Sequence, residues 1–552
     1  MIEEDIMNSL SLGIANFSSL IEQDKIYVDK TRFIKKMMDQ GRKYYFLSRP
    51  RRFGKTLLIS TLENFFNGKN ELFKDTYIYD NWENWIEYPI IRISMNSLSN
   101  NSSIELENDI LGLIEEFADE NNIKLIENTS YISKFTKLIK ELSKLSKTNE
   151  IVVLIDEYDT PIIDNINNTE LADENRKILQ NFYNVLKNSE EYIKFVFITG
   201  ISKFTKTSIF SKFNNLTELT LDKDYSTICG ITHNELKKYY SDHIQVLADE
   251  NNYSFDEALE KINYFYDGYS WDGINNVFNP NSTLRALSQK KFSSFWFSTG
   301  TPSFIAEIFK KRKITEDYFK PTVLKETDLD AIDPYNINET TLLFQAGYLT
   351  IDEEFSENDE IYYSLRIPNF EVKQAYKDNL LDLYMGEFKD KYINIREKLW
   401  DDINNGHCEN LANRLQDDIN WNPSYLNMGD KSNWKIYESM FLLWMNIMGF
   451  DISGEQKIKH GRIDGVFKDY DNNHVIICEV KYTQSKSISL DKLISLALDQ
   501  LKDRRYWMPY SSRRISLFAI AFKDEEIDED FTMTKVKCRI EDFNPQHFLE
   551  KK

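Results

Sequence analysis

Arg49-Pro50-Arg51-Arg52-Phe53-Gly54-Lys55-Thr56, directly behind the apolar run Tyr44-Tyr45-Phe46-Leu47, decides how the N-terminal part of this chain folds. A strand that ends in a tight loop and then opens a helix aims several backbone N–H groups at one point. With Lys55 and the Thr56 hydroxyl added, that point becomes a cradle for a nucleotide's phosphates and their Mg²⁺. Leu57, Leu58, Thr61, Leu62, Phe65 and Phe66 recur at helical spacing, and Gly68 closes the run. In the usual G-x-x-x-x-G-K-[ST] loop the first glycine would fall at position 49, where this chain has Arg49. Alone, the stretch also reads as a basic surface loop before a helix. The cofactor-binding residues expected here are Arg52, Phe53, Gly54, Lys55 and Thr56.

A second stretch completes the site. Ile151 to Ile155 is fully apolar and rich in β-branched residues, as a buried parallel strand requires, and it ends in Asp156-Glu157. Carboxylates at the C-terminal edge of a parallel sheet lie where such sheets bind ligands. Asp156 and Thr56 suit Mg²⁺, and Glu157 suits the general base that activates water. The run Glu191 to Thr199 reads as a further strand whose terminal hydroxyl, Thr199, can sense the γ-phosphate. Ile178, Leu179, Phe182 and Leu186 mark the helix between the two.

At 552 residues the chain is too long for one core, and 41% hydrophobic residues supply ample packing. The acidic start, Met1-Ile2-Glu3-Glu4-Asp5, is unlike a secretory signal, and the longest apolar runs, such as Ile515 to Phe522, fall far short of a membrane span. Cys229, Cys408, Cys478 and Cys538 are widely spaced with no CxxC pair, which fits a reducing cytoplasmic setting and gives no metal signal. A net charge of −21 argues against the whole surface binding nucleic acid. The charge is uneven, however. Met1–Ser60 holds eleven Lys/Arg against seven Asp/Glu, and Gln456–Lys523 thirteen against seven, so both candidate sites lie in basic segments.

The C-terminal part carries separate chemistry. Tyr437, Met440, Phe441, Trp444 and Met445 make an apolar helix face with Glu438 on its flank. Gly461-Arg462-Ile463-Asp464, the loop Asp471-Asn472-Asn473 and the strand His474 to Lys481 follow. Glu479 and Lys481 share a strand face, and Asp464, expected near the end of the preceding hairpin strand, can meet them. Two carboxylates and a lysine can bind Mg²⁺, activate water and stabilise charge on a phosphodiester. Asp464, Glu479 and Lys481 are therefore the expected catalytic residues, with Asp464 and Glu479 as metal ligands. A salt-bridged strand is the plainer alternative.

Four stretches resemble a known family: GIANFSSLIEQDKIYVDKT (Gly13–Thr31), FLSRPRRFGKTLLISTLENFF (Phe46–Phe66), VVLIDEYDTPI (Val152–Ile162) and FITGISKFTKTSIFSKFNNL (Phe197–Leu216). They look like the bacterial AAA-ATPase-like proteins, whose arginine-rich phosphate loop also lacks the first glycine. More patchily, the likeness extends through YDGYSW (Tyr266–Trp271), FNPNSTLRAL (Phe278–Leu287), FWFSTG (Phe295–Gly300), LLFQAGYLT (Leu342–Thr350) and IPNFEV (Ile367–Val372). Such proteins are often joined to a nuclease-type domain, and D-x14-E-x-K at Asp464, Glu479 and Lys481 resembles the PD-(D/E)XK nuclease superfamily, although Ile463 replaces the proline. Gln500 and Tyr506 match residues often found beyond its catalytic strand. Lys502, Arg504 and Arg505 suit contacts to a DNA backbone.

The resemblance implies an α/β protein with a P-loop ATPase core (1–231), a helical lid (232–330), a connecting region (331–425) and a C-terminal α/β/α nuclease-type domain (426–552). It implies ATP and Mg²⁺ as cofactors, and Arg51, Arg52, Lys203 or Lys206 as charges for the phosphates, each equally readable as a solvated residue. The expected activity is ATP-governed cleavage of nucleic acid, DNA before RNA, in defence against foreign DNA or in mobile-element biology. A homo-oligomer is left open, and no membrane partner is expected. The rival is a nucleotide-switched scaffold whose C-terminal domain binds nucleic acid or protein without cutting.

Overall fold

Aromatic and apolar residues at the first four positions make Tyr44–Ser48 a strand (β1) that must be covered on both faces, and all five residues are buried. Four further strands, β2 (Ile90–Ser94), β3 (Ile151–Asp156), β4 (Ile193–Gly200) and β5 (Thr217–Glu218), join it in one sheet of order β2-β3-β4-β1-β5, every pair parallel. The expected strand 191–199 begins two residues late, because Glu190–Tyr192 forms a 3₁₀ turn with no buried residue. Parallel strands need long crossovers, supplied here by helices that include Lys55–Phe66, Tyr131–Ser143 and Thr169–Asn188. The register sets Leu47 beside Thr199 and Ser94 beside Asp156, which brings the C-terminal strand ends to one edge.

The computed structural model describes residues 9–203, 215–296, 322–330, 338–376, 398, 401–403, 405–421, 437–438, 441–442, 445, 452–458, 461–469, 474–511, 513–527 and 532–550. Lys206, Met440, Trp444 and the 471–473 loop lie outside them. The chain divides into two compact units, Met1–Ile308 with Thr322–Lys373, and Phe309–Pro321 with Gln374–Lys552.

The parallel sheet belongs to the first unit. So do the helices His233–Glu250, Phe255–Tyr266 and Pro280–Gln289, the first two opened by capping boxes at Thr232/Glu235 and Ser254/Glu257. They bury Leu236, Tyr240, Ile244, Ile262 and Leu284 in one cluster. An antiparallel sheet follows, of order β6-β8-β7, from β6 (Thr322–Lys325), β7 (Thr350–Glu357) and β8 (Glu360–Arg366).

The second unit is built on β9 (Ile452–Ile458), β10 (Gly461–Asp469), β11 (His474–Thr483), β12 (Arg514–Glu526) and β13 (Thr532–Phe543), in the order β13-β12-β11-β10-β9. Only β11 and β12 run parallel, and the helix Leu490–Asp503 makes their crossover. Its Leu493, Ile494, Ala497, Leu498 and Leu501 pack on Val475, Ile477, Leu517 and Ala519 of the sheet. The fold class is therefore α/β, with a five-stranded parallel sheet in one unit and a mixed sheet in the other. Cys408 and Cys538, 130 residues apart in sequence, come together as a disulfide between the start of the helix Glu409–Trp421 and β13. Spacing alone did not reveal that pair. No helix among the described residues is long and apolar enough to cross a membrane.

Candidate functional site

The turn after β1 carries Gly54 at φ +91°, with nothing within 4 Å of where a Cβ would stand, and the helix Lys55–Phe66 starts there. Lys55 is 6% exposed, and its Nζ donates to the carbonyls of Arg49 (2.8 Å) and Pro50 (2.9 Å) of its own loop. Burial lowers its pKa below the ordinary lysine value, opposed first by the charge of Asp156. Such an ammonium is short of negative partners, and a triphosphate would supply them.

Three functional side chains meet at the strand edge. Thr56 Oγ1 donates to Asp156 Oδ2 (2.7 Å) and Thr199 Oγ1 to Asp156 Oδ1 (2.5 Å), so the carboxylate lies between two hydroxyls. Glu157 follows in the left-handed region at φ +53°, and Arg52, across the same cavity, at φ +69°. Non-glycine residues held there cost about 1–3 kcal/mol each and cluster at functional sites. Burial, then the neighbouring charge of Asp156, raises the Glu157 pKa, which suits a proton acceptor. The cavity measures about 520 Å³; Arg51, Arg52, Lys55, Thr56 and Glu157 line one part, and Leu12, Ile14, Val28, Ile231 and Leu284 an apolar part. Phe53 also lines it, its ring edge-on to Tyr269 (4.7 Å) and Trp271 (5.3 Å).

Arg49, the residue in place of the glycine, is fully buried. Its guanidinium donates to the carbonyls of Ser48 (2.9 Å), Thr220 (2.9 Å) and Tyr225 (3.3 Å) and lies 4.1 Å from the Trp271 ring centroid. It fastens the base of the phosphate loop. Of the suggested phosphate-facing charges, Lys203 is paired with Glu218 at 3.2 Å, whereas Arg51 and Arg52 line the cavity. The basic N-terminal segment spends much of its surplus internally: Lys30 pairs with Glu235, Lys35 with Asp39, Lys36 with Asp224 and Lys43 with Glu150.

In the second unit, Asp464 lies in the first half of β10 rather than near its end, and its Oδ2 accepts from the Val480 N–H (2.9 Å). Glu479 is 2% exposed. Its Oε1 accepts from Lys481 Nζ (2.5 Å), which also donates to Gln500 Oε1 (2.8 Å) on the crossover helix. Glu479 Oε2 is buried with no hydrogen-bond partner among the described residues. Burial, then the charge of Asp464, raises the Glu479 carboxyl to about 7; Lys481 opposes this and Glu438 adds to it. Glu438 is itself fully buried. No group of three or more His, Cys, Asp or Glu with metal-holding geometry occurs among the described residues. Tyr506 is a core residue, 2% exposed, and Lys502 is paired with Glu541, while Arg504 and Arg505 are exposed.

Comparison with known proteins matches a family to each of two regions of the chain. Residues 11–210 match the family described as "Predicted AAA-ATPase", and residues 433–530 match the PD-(D/E)XK nuclease superfamily. An uncharacterized protein in the vnfD 5′ region of Azotobacter chroococcum mcd 1 is 32% identical over 507 residues, which cover 91% of this chain and 94% of that relative.

Proposed function

Because the chain belongs to the AAA-ATPase-like family and carries a PD-(D/E)XK nuclease superfamily domain, we propose that it binds and hydrolyses ATP in its first unit and cuts DNA in its second, with the nucleotide state governing the cut. The observation that carries the ATPase half is the Thr56–Asp156–Thr199 network beside a buried Lys55 and a strained Glu157. In this reading the Lys55 ammonium exchanges two loop carbonyls for the β- and γ-phosphates. Thr56 and Asp156 would hold Mg²⁺, which supplies neutralisation of phosphate charge when bound. Glu157 takes a proton from the attacking water, and the Thr199 hydroxyl orients that water or the γ-phosphate.

The orphaned Oε2 of Glu479 supports the nuclease half, since a buried carboxylate oxygen without a donor suits a cation. Asp464 and Glu479 would hold Mg²⁺, which supplies a water of lowered pKa when bound. Lys481, steered by Gln500, stabilises charge on the phosphodiester, and the exposed Arg504 and Arg505 hold the DNA backbone. The net charge of −21 favours the rival, a nucleotide-switched binder that does not cut.

Plasmid nicking with Mg²⁺, with and without ATP, separates the two readings. Cleavage by wild type that is lost in Lys481→Ala and altered in Lys55→Ala is the expected result. Tight DNA binding without cleavage in every nucleotide state would instead establish the binder.

A further inference from the structure

Two residues beyond Glu157 lies a carboxylate to which the proposed mechanism gives no role. Asp159 is fully buried. Its Oδ2 accepts from the backbone N–H of Ile201 (3.0 Å), the backbone N–H of Ser202 (2.7 Å) and the Ser202 hydroxyl (2.6 Å). All three donors belong to the turn that follows Thr199 and Gly200 at the end of β4. The turn after β3 therefore grips the turn after β4.

Two more contacts tighten that grip. Tyr158 N–H donates to the Thr199 carbonyl at 2.9 Å. A Cβ on Gly200 would stand 2.6 Å from Asp159 Oδ1 and 2.6 Å from the Tyr158 ring, so only glycine admits this approach. On its other side the turn continues into Lys203, whose N–H donates to Gln345 Oε1 (3.0 Å). Two residues past Gln345, Gly347 abuts Pro50 of the phosphate loop; a Cβ there would lie 2.8 Å from that ring.

We propose that Asp159 is a positioning residue for ATP hydrolysis: by holding the 200–202 turn it fixes the Thr199 hydroxyl against Asp156, the residue that precedes Glu157 of the cavity wall. This rests on the ATPase reading above. Asp159 is fully buried and is not among the residues that line the cavity. Its effect reaches the reaction through Thr199, so its loss costs rate rather than ATP binding. A displacement near 1 Å at a reacting centre is enough to cost about 10²-fold.

The test measures phosphate release and calorimetric ATP affinity for the full chain. Asp159→Asn, Ser202→Ala, Glu157→Gln and wild type are compared, each checked for folding by its melting curve. Asp159→Asn removes the charge these donors share and, with its oxygen at the Oδ2 position, sets its NH2 against the Ile201 N–H now accepted by Oδ1 (3.3 Å), so kcat should fall roughly 10- to 100-fold with ATP affinity and KM nearly unchanged. Ser202→Ala removes one donor from the same network and should lower kcat by roughly threefold to tenfold, again without weakening binding; it carries the test if Asp159→Asn fails to fold. Wild-type kcat in the folded variants, while Glu157→Gln is slow, overturns the role of Asp159 and leaves the ATPase reading intact. A parallel loss of affinity and rate overturns it too, because that marks general damage to the site. Absence of turnover in wild type overturns both.

Discussion

Glu479→Gln isolates the electrostatic cost of the C-terminal site. The Glu479 carboxyl stands at about 7 in the folded chain against an ordinary 4.5, through burial first and then the charge of Asp464. The folded state thus keeps a proton that the unfolded chain gives up between those pH values. Unfolded chains bind fewer protons in that window, so stability falls as pH rises from about 4.5 to 7, and the full penalty stands above 7. The difference of about 2.5 units at 1.36 kcal/mol each is roughly 3 kcal/mol, a sizeable share of a typical domain's stability. Glutamine keeps the shape and never ionises. With metal chelated, the variant should gain on wild type as pH rises from 5 to 8, by up to about 3 kcal/mol. Mg²⁺ should then restore wild type at pH 8 and leave the variant unmoved. Urea unfolding followed by tryptophan fluorescence reports the second unit through the buried Trp507. Taking the difference between the two proteins cancels other titrations, including that of Glu371, also raised to about 7 by burial. A wild-type-to-variant difference that stays flat from pH 5 to 8 would refute the reasoning.

Lys55→Ala removes a buried ammonium that faces two loop carbonyls and, in the proposed complex, several phosphate oxygens; ATP affinity by calorimetry should fall at least roughly tenfold, given about 1.5–3 kcal/mol per charge-assisted bond. Arg49→Gly restores the residue other phosphate loops carry, yet here it deletes three carbonyl contacts and the Trp271 stack, so thermal unfolding should show a loss of about 3 kcal/mol or more, and nucleotide binding should weaken rather than improve. Gly347→Ala sets a methyl 2.8 Å from Pro50 at a residue with φ +85°, and should destabilise by about 1–3 kcal/mol with a lower ATP affinity; an unchanged affinity would show that the phosphate loop does not feel this contact.

Local signals made the sheet and half of each site legible. The apolar runs ending at Leu47, Ile155 and Thr199 are buried parallel strands whose length and composition leave few alternatives, and strand period places Glu479 and Lys481 on one face. What escaped depends on partners distant in sequence. Nothing local in the sequence singles out Asp159, because the donors that define it lie on Ile201 and Ser202, more than 40 positions on. Arg49 read as a departure from the glycine pattern, because its acceptors on Thr220 and Tyr225 lie more than 170 positions away. The basic surplus before Ser60 looked like a patch because charge counting ignores pairing, and Glu235 and Asp224 come from a distant part of the chain.

The middle of the chain, which carries no catalytic spacing of its own, gains a purpose from what it touches. Trp271 stacks on Arg49, Tyr269 and Trp271 enclose Phe53, and the Gly230 N–H donates to the Phe53 carbonyl at 3.3 Å. Gly347 meets both Pro50 and Trp296, and Glu371 accepts from the N–H groups of Phe295 (3.1 Å) and Trp296 (3.2 Å). An ordinary phosphate loop relies on its first glycine for room; this one relies on an arginine and a ring of aromatics for support. The consequence is mechanical. Interiors this closely packed do not deform smoothly, so a displacement of Pro50 would press on Gly347 and on the Trp296 beside it. Two residues after Glu371 the first unit ends at Lys373, and the chain continues as Gln374 of the second. Packed contacts therefore join the phosphate loop to the segment that ends the first unit.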